Sequence, residues 1–260
     1  MIAKAKFKEK ILKFYLERHS DFASFYQVFI ERSYPNLMKN LLNGDTLIDA
    51  GANIGVFTVI ASTLVGKKGR VISVEPDPDN LGILKKNIEL NDLNNVEIID
   101  KVLYSESKLK IKFIQDGVGS KIVTDKTDAN YIEVETTTLD DIMDHREISR
   151  SALKMDIEGG EKFALLAAET AMKNVNFFEG EIHSREDFDA LMKFSNLFSF
   201  LTEPAESLHN VFLFSMRHPL KTVELEFRNK FHTTKRILSM SCHNSKPSEY
   251  PIIVYGEKFH

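Results

Sequence analysis

The sequence predicts an α/β fold, with a mainly parallel sheet carrying helices on both faces. Two observations predict it. Residues 46–58, Thr-Leu-Ile-Asp-Ala-Gly-Ala-Asn-Ile-Gly-Val-Phe-Thr, read as a short apolar strand, a glycine turn and a helix from about Val56 to Leu64. Strand, turn and helix in that order build a nucleotide pocket at the carboxyl end of a first strand. Residues 71–77, Val-Ile-Ser-Val-Glu-Pro-Asp, then give a second β-rich run that ends in Glu75 and enters a proline-started helix.

In chain order, residues 1–42 read as an amino-terminal helical extension. Phe7, Ile11, Phe14 and Leu16–Arg18 fit one amphipathic helix with Lys4, Lys6, Lys8, Lys10 and Lys13 on its solvated face. Phe22, Phe25, Tyr26, Phe29 and Ile30 fit a second. Pro35 breaks the pattern, and Asn43-Gly44-Asp45 turns into the first strand. Residues 43–260 form the main domain with a carboxyl-terminal elaboration.

The glycine motif decides which nucleotide fits. Gly51 permits a tight turn, and Gly55 lets the helix lie close to the sheet. A dinucleotide fingerprint, G-x-G-x-x-G, read from Gly51 meets Asn53 and Val56 where glycines belong, which argues against a nicotinamide oxidoreductase. The pattern D-x-G-x-N-x-G, from Asp49 through Asn53 to Gly55, resembles the first motif of class I methyltransferases that use S-adenosylmethionine. That ligand's anion is a carboxylate, which a helix amino terminus accommodates. Glu75 stands 20 residues after Gly55, where this architecture places a carboxylate on ribose hydroxyls. Asp77 and Asp79 suit the start of the next helix, and Leu81, Leu84 and Ile88 follow at helical spacing.

Five stretches together resemble the FkbM family of S-adenosylmethionine-dependent methyltransferases: IDAGANIGVFT (48–58), SVEPDPDNLGILKKNIELN (73–91), VETTTLDDI (134–142), LKMDIEGGE (153–161) and EGEIH (179–183). They occur in family order over roughly residues 40–185. The resemblance implies a Rossmann-like class I methyltransferase fold, a seven-stranded sheet with an antiparallel edge strand near the carboxyl terminus. It implies S-adenosylmethionine as cofactor, held by Asp49, Gly51, Asn53, Gly55, Glu75 and Asp77. Val96–Ile99 is the third strand, and in this fold its end meets the adenine edge. That makes Asp100, and the backbone of Val102, further cofactor candidates.

Residues 103–133 read as a β-rich excursion, with a flexible turn at Asp116–Ser120 placed to cover an acceptor. Thr138 to Ile142 reads as a threonine strand end and an aspartate-rich helix start. Residues 152–161 give the fourth strand and its turn. Asp156 leaves that strand, Glu158 precedes two glycines, and Glu161 opens a helix to about Lys173. A buried strand rarely ends in carboxylates without a use for them. Val175 to His183 is the fifth strand, and alternation puts Glu181 and His183 on one face. Arg185 to Phe194 is a helix. Phe198 to Thr202 and Asn210 to Met216 are strand candidates, with Ile252 to Tyr255 a candidate for the antiparallel strand. Residues 217–250 are locally basic and read as a solvated helix and loop.

Methyl transfer to oxygen needs a base within hydrogen-bond reach. Asp156 and His183 are the catalytic candidates, with Glu158 beside them. No metal is assigned, although Asp156 and Glu158 with a divalent ion form an alternative. The family implies O-methylation of a sugar or small-metabolite hydroxyl, so the expected partner is a small-molecule or glycan acceptor. N-methylation remains as an alternative, weakened by the absence of an Asn-Pro-Pro-Tyr type signature after the fourth strand. A binding module that holds the cofactor without turnover is another. The 260 residues carry a net charge of −4, with no general polycation for nucleic acid. The single cysteine, Cys242, excludes an intramolecular disulfide and an all-cysteine metal site. No apolar run is long enough for a transmembrane helix, no signal-peptide core is present, and a cytoplasmic protein is expected.

Overall fold

The computed structural model describes residues 1–114, 121–122, 131–144, 150–204 and 252–259. The glycine turn at 116–120, the strand expected at 210–216 and the basic stretch 217–250 lie outside them.

The chain begins with a β-hairpin, β1 (Ile2–Phe7) and β2 (Lys10–Tyr15), paired antiparallel from Ile2 opposite Tyr15 to Phe7 opposite Lys10. This corrects the helix expected over Phe7–Arg18. Phe7, Ile11 and Phe14 fit a helical stripe, but Leu12, Phe14 and Leu16 are the residues buried, at a spacing of two, while Ile11 is 57% exposed. Tertiary partners tip the balance towards the strand. Asn87 Oδ1 accepts from the Tyr15 N–H at 2.5 Å, and Asn91 Oδ1 accepts from the Lys13 N–H at 2.9 Å. These side chains complete an edge that a lone hairpin would leave open.

The second amino-terminal element is helical as expected: α1 (His19–Phe25) runs into a π-helical turn at Tyr26–Ile30. The short α2 (Pro35–Asn40) follows. Next come β3 (Thr46–Ala50), α3 (Val56–Val65), β4 (Arg70–Val74) and α4 (Pro78–Leu90). Asp77 caps α4 by accepting from the Asp79 N–H at 2.9 Å, and Pro78 occupies its first turn, the position where a missing N–H costs least. After β5 (Val96–Ile99) comes the excursion, β6 (Val102–Leu103), β7 (Lys110–Ile114), β8 (Lys121–Ile122) and β9 (Ile132–Thr137). These four form a sheet of their own, in the order β6-β9-β7-β8.

The chain returns through α5 (Leu139–Met143) to β10 (Ser151–Met155), α6 (Glu161–Leu166) and α7 (Glu169–Asn174). The single helix expected from Glu161 to about Lys173 is therefore two. At the break, the Asp140 N–H of α5 donates to the Ala167 carbonyl, and Asp140 Oδ1 accepts from the Ala171 N–H at 2.7 Å, which supplies α7 with its cap. The last elements are β11 (Val175–Ile182), α8 (Arg185–Leu191) with a 3₁₀ turn, β12 (Phe198–Pro204) and β13 (Ile252–Lys258).

The main sheet has seven strands in the order β12-β13-β11-β10-β3-β4-β5. The pairs from β11 through β10, β3 and β4 to β5 are parallel, and both pairs of β13 are antiparallel. This is the Rossmann-like class I arrangement. The antiparallel strand is β13, and it lies one place in from the edge, covered by β12. Alternating side chains of one strand feed two cores. Leu47 of β3 packs towards α3, Leu37 of α2 and the hairpin, whereas Ile48 packs towards α5, α6, α7 and α8. Strand order reverses between β3 and β10, so their carboxyl ends flank the crevice where such sheets bind ligands. No helix among the described residues is long and apolar enough to cross a membrane.

Candidate active site

Two loops meet at the reversal, one after β3 and one after β10. Gly51 has φ +75°, and a Cβ there would lie 1.8 Å from the carbonyl oxygen of Asp156. The glycine is what lets the loops touch. Gly55, at φ +81°, has a different neighbour: a Cβ would lie 2.3 Å from Leu84 Cδ1 of α4. Asn53 adopts φ +52° between them, and its side chain accepts from the Ile54 N–H at 2.7 Å.

Glu75 stands at the end of β4, 4% exposed. Its Oε2 accepts from the Asn53 N–H at 2.7 Å, and its Oε1 from the Asp77 N–H at 3.0 Å and Asn80 Nδ2 at 3.3 Å. Burial pushes its pKa from 4.5 up to about 7, against the lowering effect of those bonds.

The other cofactor candidates fall into two groups. Asp49 is fully buried: its carboxylate accepts from Thr58 Oγ1 at 2.6 Å and lies 3.4 Å from Lys154 Nζ. Asp77 is buried as the cap of α4. Both brace the loops from inside. Asp100 is exposed just past β5, while the Val102 side chain packs with Phe113 and Val134 in the small sheet's core.

Asp156, Glu158 and His183 do come together, with one ligand atom of each within 4.8 Å of the others. His183 Nδ1 bonds Glu161 Oε1 at 2.9 Å; its Nε2 faces Asp156 Oδ1 at 3.9 Å and Glu158 Oε2 at 3.6 Å. Glu161 is fully buried, and its Oε1 also accepts from the Ile157 and Gly159 N–H groups. Burial disfavours the charged imidazolium, yet Glu161, Asp156 and Glu158 push the His183 pKa up to about 10. Burial, and then Asp156, raise both Glu158 and Glu181 above the usual carboxylate range.

Two contributors were given no role in the sequence reading. Tyr34, at φ +66°, donates its hydroxyl to Asp156 Oδ2 at 2.8 Å from 122 positions away. Burial and Asp156 raise its phenol well above 10, so the group stays a donor. Lys154, buried in β10, donates to the Gly51 carbonyl at 2.6 Å and the Ala50 carbonyl at 3.2 Å. A lysine in an otherwise apolar strand was a visible signal, since buried lysines need partners. Tyr34 offered no local signal. Its segment is anchored by the fully buried Glu179 of β11, which accepts from the Leu37 N–H at 2.8 Å and from Asn36 Nδ2 at 2.7 Å.

The family model of the methyltransferase FkbM domain matches residues 49–211, more than half of the chain. The chain belongs to the FkbM methyltransferase family. S-adenosylmethionine is the cofactor of this family, and the site has the features it requires. Gly51 leaves no room for a side chain beside Asp156, α3 presents its amino terminus directly after Gly55, and Glu75, just past β4, keeps a lone pair on Oε2 beyond the one that the Asn53 N–H takes.

Among curated relatives, hexuronic acid methyltransferase AglP of Haloferax volcanii is 26% identical over 152 residues, 58% of this chain and 61% of that one. A probable cobalt-precorrin-6B C(15)-methyltransferase of Sulfurisphaera tokodaii is 45% identical over 60 residues, 23% of this chain and 31% of its own. The chain thus spans less than two thirds of either relative. Among solved structures, a methyltransferase FkbM from Methylobacillus flagellatus KT aligns with a TM-score of 0.45 and 18% identity, over 73% of this chain and 52% of that one.

Proposed function

We propose that this FkbM-family chain transfers a methyl group from S-adenosylmethionine to a hydroxyl of a sugar or small metabolite. The observation that carries the reading is the contact between Gly51 and the Asp156 carbonyl, which sets the cofactor loop directly beside the rim of Asp156, Glu158 and His183. The relationship to a hexuronic acid methyltransferase supports a sugar acceptor.

In this reading Glu75 accepts from the ribose hydroxyls, and the Gly51–Gly55 backbone with the amino terminus of α3 receives the carboxylate. The cofactor, when bound, supplies a methyl carbon on a positive sulfur, and the C–S electron pair leaves with that sulfur. Asp156 accepts the acceptor's hydroxyl proton while the oxygen lone pair forms the new O–C bond. Tyr34 holds Asp156 Oδ2, which turns Oδ1 towards the rim. His183 Nδ1 is held on Glu161 and its Nε2 faces Asp156 and Glu158, so His183 positions the rim. Positioning of donor and acceptor contributes most of the acceleration, and a base adds about 10²–10⁴-fold.

The test is transfer of labelled methyl from S-adenosylmethionine across uronic acids, neutral sugars and hydroxylated metabolites. Label on oxygen of a sugar-type acceptor, reduced by roughly 10²-fold or more in Asp156→Asn, is the expected result. Label on nitrogen, or parent-level turnover by Asp156→Asn, would overturn the assignment.

A further inference from the structure

We infer that Asp156, Glu158 and His183 form a binding site for one divalent cation, which orients the acceptor hydroxyl. This departs from the sequence reading, which assigned no metal, and it rests on the proposed methyl transfer only for the cation's use, not for its binding.

The first argument is spacing. His183 Nε2 lies 3.9 Å from Asp156 Oδ1 and 3.6 Å from Glu158 Oε2. Both distances are too long for hydrogen bonds. Two donors each about 2.1 Å from a shared ion stand about 3.0–3.5 Å apart, so the two His183 pairs are within about an ångström of ligand spacing, and all three ligand atoms lie within 4.8 Å of one another.

The second argument is the support behind each ligand. Metal-binding histidines hold their other nitrogen on a carboxylate, and ligating carboxylates are themselves hydrogen-bonded. Here Glu161 takes His183 Nδ1, and the Tyr34 hydroxyl takes Asp156 Oδ2. Each leaves the remaining donor atom, Nε2 or Oδ1, turned towards the same point. Glu158 is held there by a backbone at φ +55°, a strained conformation for a residue with a side chain, of the kind found at ligand clamps.

The third argument is charge. Asp156, Glu158 and Glu161 all face one imidazole. Glu161 is fully buried, and its Oε2 has no hydrogen-bond partner among the described residues. A buried carboxylate such as Glu161 is costly unless paired or metal-bound, and it shares its one imidazole with Asp156 and Glu158. A divalent cation supplies the missing charge.

Two carboxylate oxygens and one imidazole form a mainly hard donor set, which suits Mn²⁺ or Mg²⁺ with water or substrate oxygens completing the shell. A cation there would polarise the acceptor hydroxyl. An acceptor with two neighbouring hydroxyls would fit two open positions.

The test is calorimetric titration of the metal-stripped full-length protein with MnCl₂, with and without S-adenosylhomocysteine, repeated with MgCl₂. One Mn²⁺ per chain is expected, weakened at least tenfold in each of Asp156→Asn, Glu158→Gln and His183→Ala. Each variant must still bind S-adenosylhomocysteine, which shows that it is folded. Glu186→Gln, at an exposed carboxylate paired with Lys162, should bind Mn²⁺ like the parent. Absence of stoichiometric binding, or binding that survives all three rim variants, overturns the site. The transfer assay separates the two readings. Mn²⁺ binding without methyl transfer to any hydroxyl upholds the site and removes the proposed acceptor class. Transfer at full rate in excess chelator upholds that class and overturns the cation's part in it.

Discussion

If Glu75 holds the ribose as proposed, its pKa makes cofactor binding depend on pH in a direction the structure specifies. Burial raises this carboxyl from 4.5 to about 7, a difference of about 3 kcal/mol between folded and unfolded chain. Because the folded value is the higher one, Glu75's contribution to stability is fully present below 4.5 and is lost as pH rises through about 7. In the proposed cofactor complex the ribose hydroxyls would reverse the balance, because they would donate to the carboxylate and so favour its ionised form. With a folded pKa of about 7, Glu75 is about 10% ionised at pH 6 and about 90% at pH 8, and apparent affinity scales with the competent fraction. The Kd of S-adenosylhomocysteine should therefore fall about tenfold from pH 6 to pH 8, or about 1.4 kcal/mol. Binding at pH 6 should release about 0.9 proton, falling to about 0.1 at pH 8. Calorimetry in buffers of different ionisation enthalpy measures both quantities. Glu75→Gln keeps the shape but should bind about 1.5–3 kcal/mol more weakly, without Glu75's share of the pH dependence and proton release. Rim groups also titrate, so the difference between parent and variant is the quantity to read. A parent Kd that stays flat from pH 6 to pH 8, or a variant that retains the parent's slope, would refute the argument.

Two further substitutions test the junction of the loops. Gly51→Ala sets a methyl 1.8 Å from the Asp156 carbonyl at φ +75°, and no side-chain rotation relieves contact with backbone. It should cost at least about 1–3 kcal/mol and abolish S-adenosylhomocysteine binding, as chemical denaturation and calorimetry will show; parent-like values would mean that the loops do not meet. Lys154→Met leaves the fully buried Asp49 carboxylate without its cation. Breaking such a pair costs about 3–5 kcal/mol, so a urea midpoint equal to the parent's would show that Lys154 does not hold Asp49.

How much of this was legible depends on how local the cause is. The strand-turn-helix at 46–58 was readable because each step has a local reason: apolar strand residues, a glycine at positive φ, then helix. The α4 start was equally local, with Asp77 as cap and Pro78 in the first turn. The amino-terminal hairpin was not, because Phe7, Ile11 and Phe14 suit a helical stripe while Leu12, Phe14 and Leu16 suit a strand. Asn87 and Asn91, more than 70 positions away, complete the strand edge. The rim was partly readable. Asp156, Glu158 and His183 were visible as strand-end residues, but Asp49 and Asp77, which the motif also offered, turned inward to brace loops. Tyr34 lies in a segment with no motif, so its place on Asp156 follows only from the packing of α2 against Glu179.

That packing changes how the amino-terminal segment should be regarded. Tyr34, Asn53 and Glu158 are three non-glycine residues with positive φ, from three separate segments, and all three adjoin the loops after β3 and β10. Each conformation costs about 1–3 kcal/mol, so none persists unless its surroundings enforce it. Tyr34 is enforced by Glu179 on the following helix, Phe57 at 5.1 Å between ring centroids and Asp156 at its hydroxyl. Asn53 is enforced by Glu75 at its N–H, and Glu158 by the loop that Glu161 closes through Ile157 and Gly159. Two of the three constraints thus run through carboxylates that also serve the site, Asp156 and Glu75, and a third runs through the carboxylate behind His183. The strain and the chemistry share atoms. Replacing Glu158 with glycine would relieve the backbone but remove an oxygen from the rim, so local stability and a complete site pull against each other there. The amino-terminal segment supplies one member of this strained set, so residues 34–37 pack into the candidate site through Tyr34 on Asp156 and Glu179 on Asn36 and Leu37.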